Sequence, residues 1–313
     1  MTALVTLGES MAVVAASTPG PLVPGKPAGL SFAGAEATVA IGVSRLGHSA
    51  TWIGRVGADA AGTMIVRGLR AEGVDVSRVH VEPVLPTGLM LRERRTADHT
   101  RSAYYRRGLA GSRLAPGDVD EQLVSSARLL HITGITPALG RTARDAVRHA
   151  VDIARQAGVT VSLDVNYRAL LWSRDEAADE LGFLVRQADL VFAGPEEARL
   201  LVDEAPPEKT AQALTALGPQ QAVVKLGAEG ALAAIDGVVL AQPPVPVTVV
   251  DPIGAGDAFV AGYLAAHLDG ASPAERLLTA ATCGSFAVSV QGDWEGLPRR
   301  EELSLLTGDD VIR

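Results

Sequence analysis

Short apolar runs alternate with longer amphipathic stretches along most of the chain. Residues 50–53 precede a helical pattern over 62–72, residues 129–133 one over 142–157, and residues 159–164 one over 175–187. Residues 190–193 lead into a helical stretch over 195–202, and 222–225 follow a short helix. Residues 1–9 read as a strand, 245–250 as a β-type run and 258–267 as an apolar helix. Strand-like runs that alternate with helical patterns predict an α/β fold, a mostly parallel sheet with helices on both faces. Ser272-Pro273-Ala274-Glu275 is a capping box with proline at the first helical position, and it predicts a last helix running toward Val290.

Two segments break this rhythm. Residues 11–32 and 87–113 hold short strand-like pieces separated by Pro, Gly and polar residues, with no helical period. They predict a small β-sheet inserted into the main domain, which then comprises residues 1–10, 33–86 and 114–313.

Composition narrows the picture. A hydrophobic fraction of 47% with 4% aromatics suggests a core of Val, Leu and Ala, as in a sheet covered by helices. The formal charge of −8 argues against general nucleic-acid binding. One cysteine, Cys283, excludes an internal disulfide and fits a reducing compartment. The start has no basic region and no apolar run is long enough to span a bilayer, so the expectation is a cytoplasmic protein with no membrane partner.

The most informative chemistry lies in Asp251-Pro252-Ile253-Gly254-Ala255-Gly256-Asp257-Ala258-Phe259. A turn of small residues that opens a helix points successive N–H groups outward at the positive end of the helix dipole, which makes an anion site. Asp257 at the helix start can accept a hydroxyl proton while that nest holds a phosphoryl group. The plainer alternative is a helix cap after a tight turn. No G-x-x-x-x-G-K-[ST] run is present, so the nest formed by Gly254, Ala255 and Gly256 would have to be the phosphate cradle.

This segment resembles the D-T-x-G-A-G-D signature of the ribokinase-like (PfkB) carbohydrate kinases. Ala33-Gly34-Ala35-Glu36-Ala37-Thr38-Val39-Ala40, with Ser44-Arg45-Leu46-Gly47, resembles the family's N-terminal signature. Gly54-Arg55-Val56-Gly57-Ala58-Asp59-Ala60-Ala61-Gly62 has its G-x-V-G-x-D-x-x-G form. The resemblance implies a ribokinase-like three-layer sandwich whose small sheet is a lid over the sugar and often a dimer interface, hence a possible homo-oligomer. It implies ATP, magnesium (Mg2+) and potassium (K+) as cofactors. Asp257 becomes the base and Gly254, Ala255 and Gly256 the anion hole. Lys225-Leu226-Gly227-Ala228-Glu229-Gly230 resembles the family's nucleotide turn, which implicates Lys225, Gly227, Glu229 and Gly230. Glu197 would order magnesium through water. Asp251 and the backbone of Ile253, Ala287, Val290 and Gly292 would form a monovalent-cation loop. Gly34, Glu36 and Thr38 fall on the sugar-binding signature. The sequence departs from the family at Gly194 and Thr38, where asparagine is usual, at Ala33, where glycine is usual, and at Pro252, where threonine is usual.

For the substrate, Arg92, Arg94, Arg95, Arg101, Arg106, Arg107 and Arg113 face only Glu93 and Asp98 within the second inserted segment. A basic stripe in an acidic protein suggests an anionic ligand, although charges on edge strands also guard against aggregation. Tyr104-Tyr105-Arg106-Arg107-Gly108-Leu109-Ala110-Gly111-Ser112-Arg113-Leu114 resembles the Y-Y-R-x-x-S-A-x-S-x-L segment of the 2-keto-3-deoxygluconate kinases, with Leu109 in place of serine. Asp164-Val165-Asn166-Tyr167-Arg168, with Leu171-Trp172, resembles their D-x-N-Y-R-x-x-L-W stretch. The resemblance implies that Tyr104, Arg106 and Arg168 hold a sugar acid. A fructokinase-like enzyme for a neutral sugar and a catalytically weak sugar-binding regulator are the alternatives.

Overall fold

A computed structural model describes residues 2–96 and 99–308 of the chain. Asp98 of the basic stripe lies outside the described residues. The main sheet has nine strands in the order β13-β12-β11-β10-β9-β8-β1-β4-β5. These are β1 (Leu4–Leu7), β4 (Ala50–Gly57), β5 (Val79–Glu82), β8 (Leu129–Thr133), β9 (Thr160–Asp164), β10 (Leu190–Ala193), β11 (Gln221–Lys225), β12 (Ala231–Ile235) and β13 (Val238–Gln242). A smaller sheet runs β3-β2-β6-β7, built from β2 (Met11–Ala16), β3 (Ala28–Ala33), β6 (Leu89–Arg94) and β7 (Thr100–Tyr105). Pairing in the main sheet is parallel from β5 through β11, and only the β11–β12 and β12–β13 joints are antiparallel.

Every residue of β1, β8 and β10 is buried, which is why these strands read as mostly apolar runs: both their faces are covered. One face packs on the helices Ala35–Arg45, Ala60–Ala71, Ala255–Leu268 and Pro273–Val288. The other packs on Arg141–Ala157, Arg174–Val185 and Pro207–Ala216, so helix, sheet and helix form three layers. Arg141–Ala157 buries Ala143, Ala146, Val147, Ala150, Val151 and Ala154, a single stripe at helical spacing, and ends at Gly158 with φ 71°. Ala255–Leu268 is instead apolar on almost all sides, because it lies in the interior. Ser272 caps Pro273–Val288 as the sequence predicts, its hydroxyl accepting from Glu275 N and the Glu275 carboxylate accepting from Ser272 N at 2.8 Å.

Three sequence expectations are corrected. Residues 245–250 form no strand, because Pro243, Pro244 and Pro246 cannot supply a ladder of N–H donors and Val249 and Val250 stay exposed. The helix expected over 195–202 stops at Ala198, beyond which Leu200 N and Leu201 N turn to the carbonyls of Glu197 and Ala198. The helix after Ser272 is not the last, since the turns Arg300–Glu302 and Ser304–Thr307 follow it.

Part of what ties the small sheet to the main domain is a stretch near the C-terminus. Arg92 of β6 meets Asp293 through two nitrogens at 2.6 and 3.0 Å. Phe32 of β3 stacks on Trp294 with ring centroids 4.8 Å apart, and Trp294 Nε1 donates to the Phe32 carbonyl. Strand order reverses at β1, whose neighbours are β4 on one side and β8 on the other. The crevice beyond the carboxyl ends of strands at such a reversal is where open α/β sheets bind ligands.

Candidate active site

A cleft of about 600 Å3 opens there, between the small sheet and the carboxyl ends of β1, β8 and β9. Its wall includes Glu9 after β1, Met11 and Met90 of the small sheet, Ile135 after β8, Arg168 after β9, and Asp257.

At its floor the helix Ala255–Leu268 begins. Gly254 caps it with φ 77°, a left-handed conformation that strains other residues, and a side chain there would also run into the Asp293 carbonyl. The N–H groups of Ala255, Gly256 and Asp257 have no intrahelical acceptor and meet no other acceptor among the described residues. They form an outward-facing donor cluster at the positive end of a long buried helix. Asp257 is half-buried, and its Oδ1 accepts from Asn166 Nδ2 at 3.3 Å. Removal from water and then the charge of Asp164 push its pKa up to about 7, against the opposing pull of Lys225 and Arg168. A carboxylate that titrates near neutrality suits a general base.

Lys225 ends β11 and Asp164 ends β9, two strands apart, and the Lys225 ammonium lies 2.7 Å from both Asp164 oxygens. The turn that follows, Gly227–Glu229, is exposed at the same end of the sheet, with Gly227 at φ 60° and Gly230 at φ 91°. Glu197 accepts from Gly194 N at 2.6 Å and from Tyr167 N at 3.1 Å, so its carboxylate fastens the exits of β9 and β10 together. Asp251 does the same for two loops, accepting from Ile253 N at 3.2 Å and Gly292 N at 3.4 Å. The carbonyl of Ala287 accepts from Val290 N at 3.3 Å.

Toward the small sheet, Gly34, Tyr104, Arg106 and Arg168 all line the cleft. Arg106 pairs with Glu9 at 2.5 Å, its guanidinium carbon 5.9 Å from the Tyr104 ring centre. Its Nε is buried and has no acceptor among the described residues. Burial raises the pKa of Glu9, and Arg106 opposes that shift. Arg168 is exposed, and its side chain makes no hydrogen bond or ion pair among the described residues. Gly34 has to be glycine because a side chain would strike the Glu9 carbonyl.

Two expected sugar ligands are placed otherwise. Thr38 is fully buried in the first turn of its helix and does not reach the cleft wall. Glu36 borders the cleft, but its carboxylate is turned inward, accepting from Thr133 Oγ1 at 2.7 Å and Thr136 Oγ1 at 2.5 Å. The N-terminal turn of a helix packed on the sheet buries both side chains. Conversely, Glu9, Asp164, Asn166 and Asp293 stand in the site without having been singled out. Asp164 and Asn166 lie inside the D-x-N-Y-R stretch from which only Arg168 was drawn. Glu9 carries one signal, an acid two residues after the mostly apolar run Leu4-Val5-Thr6-Leu7.

Comparison with known proteins gives the same picture. A family model described as pfkB family carbohydrate kinase matches residues 1–300. The 2-dehydro-3-deoxygluconokinase of Thermoproteus tenax is 39% identical over 306 residues, covering 96% of this chain and 93% of that protein. The enzyme of the same name from Bacillus subtilis (strain 168) is 36% identical, covering 96% of this chain and 94% of its own length. A solved structure of an E. coli Ribokinase II candidate in complex with ATP and Mg2+ superposes with a TM-score of 0.91 at 27% identity, covering 99% of this chain and 100% of that one.

Proposed function

This chain belongs to the pfkB family of carbohydrate kinases, and from that premise we propose that it transfers the γ-phosphoryl group of ATP to a primary hydroxyl of 2-keto-3-deoxygluconate. The observation that carries the substrate is the cleft itself. Four arginines line it, Arg101, Arg106, Arg107 and Arg168; of these Arg106 keeps an unpaired buried Nε, and the Arg168 side chain has no hydrogen-bonded partner among the described residues, in the same cleft as the Asp257 carboxylate. A sugar acid offers an oxygen pair to such a planar fork, and a neutral sugar does not. The relatives named 2-dehydro-3-deoxygluconokinase, another name for the same activity, support this choice.

In this reading Asp257 takes the hydroxyl proton while the N–H groups of Ala255, Gly256 and Asp257 receive the charge that builds on the transferred phosphoryl group. The 227–230 turn would pass the nucleotide. Magnesium, when bound, neutralises phosphate charge, and Glu197 would order it through water. No cluster of three or more ligating side chains exists among the described residues, which fits a metal held chiefly by the phosphates. A potassium ion would see the carbonyls of Ile253, Ala287, Val290 and Gly292 more than Asp251, whose two oxygens serve N–H groups.

The test is ADP release with 2-keto-3-deoxygluconate, its galactonate epimer, fructose and ribose. We expect the highest kcat/KM for a 2-keto-3-deoxy acid; a higher value for fructose would replace this reading with a fructokinase.

A further inference from the structure

We propose that the Lys225–Asp164 ion pair is the floor of the phosphoryl site, with the Lys225 ammonium facing the transferred γ-phosphate and Asp164 holding it there. The inference rests on the kinase reading above and gives the lysine side chain a role separate from that of the turn it precedes. An ammonium has three protons to donate. Two of those of Lys225 are directed at Asp164, at 2.7 Å each, and the third has no acceptor among the described residues. That side chain is 17% exposed, and its nitrogen lies 3.6 Å from where a Cβ on Gly256 would stand. The free donor therefore sits directly beside the N–H groups of the glycine turn, and a phosphoryl group on that turn would lie within its reach. Glycine at 256 leaves the space between nest and ammonium open.

The pair makes little sense as a stabilising device. Burying two charges costs desolvation that a well-packed apolar pair avoids, and such pairs are often neutral or worse for stability. Asp164 is only 1% exposed, deep at the carboxyl edge of the sheet. Its charge fixes the lysine in one geometry beside the glycine turn, which is what electrostatic stabilisation of a transferred phosphoryl group needs. The groups whose charge acts on the base Asp257 are Asp164 from β9, Lys225 from β11, Arg168 from the loop after β9, and Glu36 from the helix Ala35–Arg45. Lys225 and Asp164 act on it with opposite signs, so each leaves its own mark on the pH profile.

Binding of a non-hydrolysable ATP analogue and of ADP, measured by calorimetry on the full chain, tests the proposal without any sugar. Lys225→Met should weaken the analogue at least about tenfold and leave ADP nearly unchanged, since only the analogue carries a group in the γ position. In turnover, kcat should fall by about 10²–10³ with little change in the sugar KM. The acid limb of the pH profile should move up in Lys225→Met and down in Asp164→Asn, because the lysine lowers and the aspartate raises the Asp257 pKa. Lys225→Met/Asp164→Asn leaves no buried charge unpaired and keeps the shape, so it separates misfolding from lost chemistry: wild-type melting with low kcat supports the role. Equal affinity of Lys225→Met for analogue and ADP relative to wild type, or near-normal kcat in the double variant, overturns it. Failure of the kinase reading shows differently, as a wild type that turns over no sugar while the analogue assay still reports on Lys225.

Discussion

On the proposed reading the cleft has a phosphate end and a sugar end, and the two are built in different ways. At the phosphate end, one run of residues from Gly254 to Asp257 supplies the turn, the unpaired N–H groups and the base, because a helix start positions all of them at once. At the sugar end, Glu9, Gly34, Arg106 and Arg168 come from four separate passages of the chain and meet only after both sheets have formed. The first is a local device that tolerates little change within it. The second is an assembly in which each member depends on its neighbours: Arg106 on Glu9, Gly34 on the Glu9 carbonyl, and the small sheet on Arg92 and Asp293.

The largest effect is expected where the local device is broken. Asp257→Asn keeps the size and hydrogen-bonding capacity of the side chain but removes the proton acceptor. Steady-state kinetics should show kcat lowered by about 10²–10⁴ with ATP and sugar affinity retained. Near-normal turnover would move the base elsewhere and dissolve the contrast.

The assembled end should fail by affinity. Arg106→Ala removes a largely buried charge, and truncating one partner of a desolvated pair costs roughly 2–5 kcal/mol, so KM for the sugar acid should rise at least tens-fold while KM for ATP barely moves. The same change strands Glu9 in the interior, so Glu9→Gln/Arg106→Ala is the cleaner comparison. Arg168→Ala should cost less, since Arg168 is exposed. Unchanged KM for the acid in both alanine variants would mean that neither arginine holds the substrate.

The mildest probe is pH. Asp257 must be ionised to accept a proton, and its pKa is raised to about 7. Turnover should therefore fall with decreasing pH below about 7, by about tenfold per unit. A profile flat down to pH 5 would show that the base is not held in the environment described.

Much of this could be read from the sequence. Largely apolar runs at residues 129–133 and 190–193 fall on β8 and β10, because strands covered on both faces bury every position, with His131 and Thr133 as buried polar exceptions in β8. The box at Ser272 forms because its reciprocal bonds are local. Gly-Ala-Gly-Asp is legible for the same reason: the turn, the helix start and the donors lie within four consecutive residues. Residues 245–250 misled because valine content suggests a strand while the intervening prolines remove the donors that a ladder requires. Thr38 does not reach the cleft and Glu36 lines it with its carboxylate on two threonines, because a signature gives positions along a helix, whereas the direction of each side chain follows from the packing of that helix against the sheet. Glu9 with Arg106, and Asp164 with Lys225, were beyond the sequence altogether. Each pair joins residues distant in the chain, and only closure of the sheet, which removes both partners from water together, makes either charge worth holding in place.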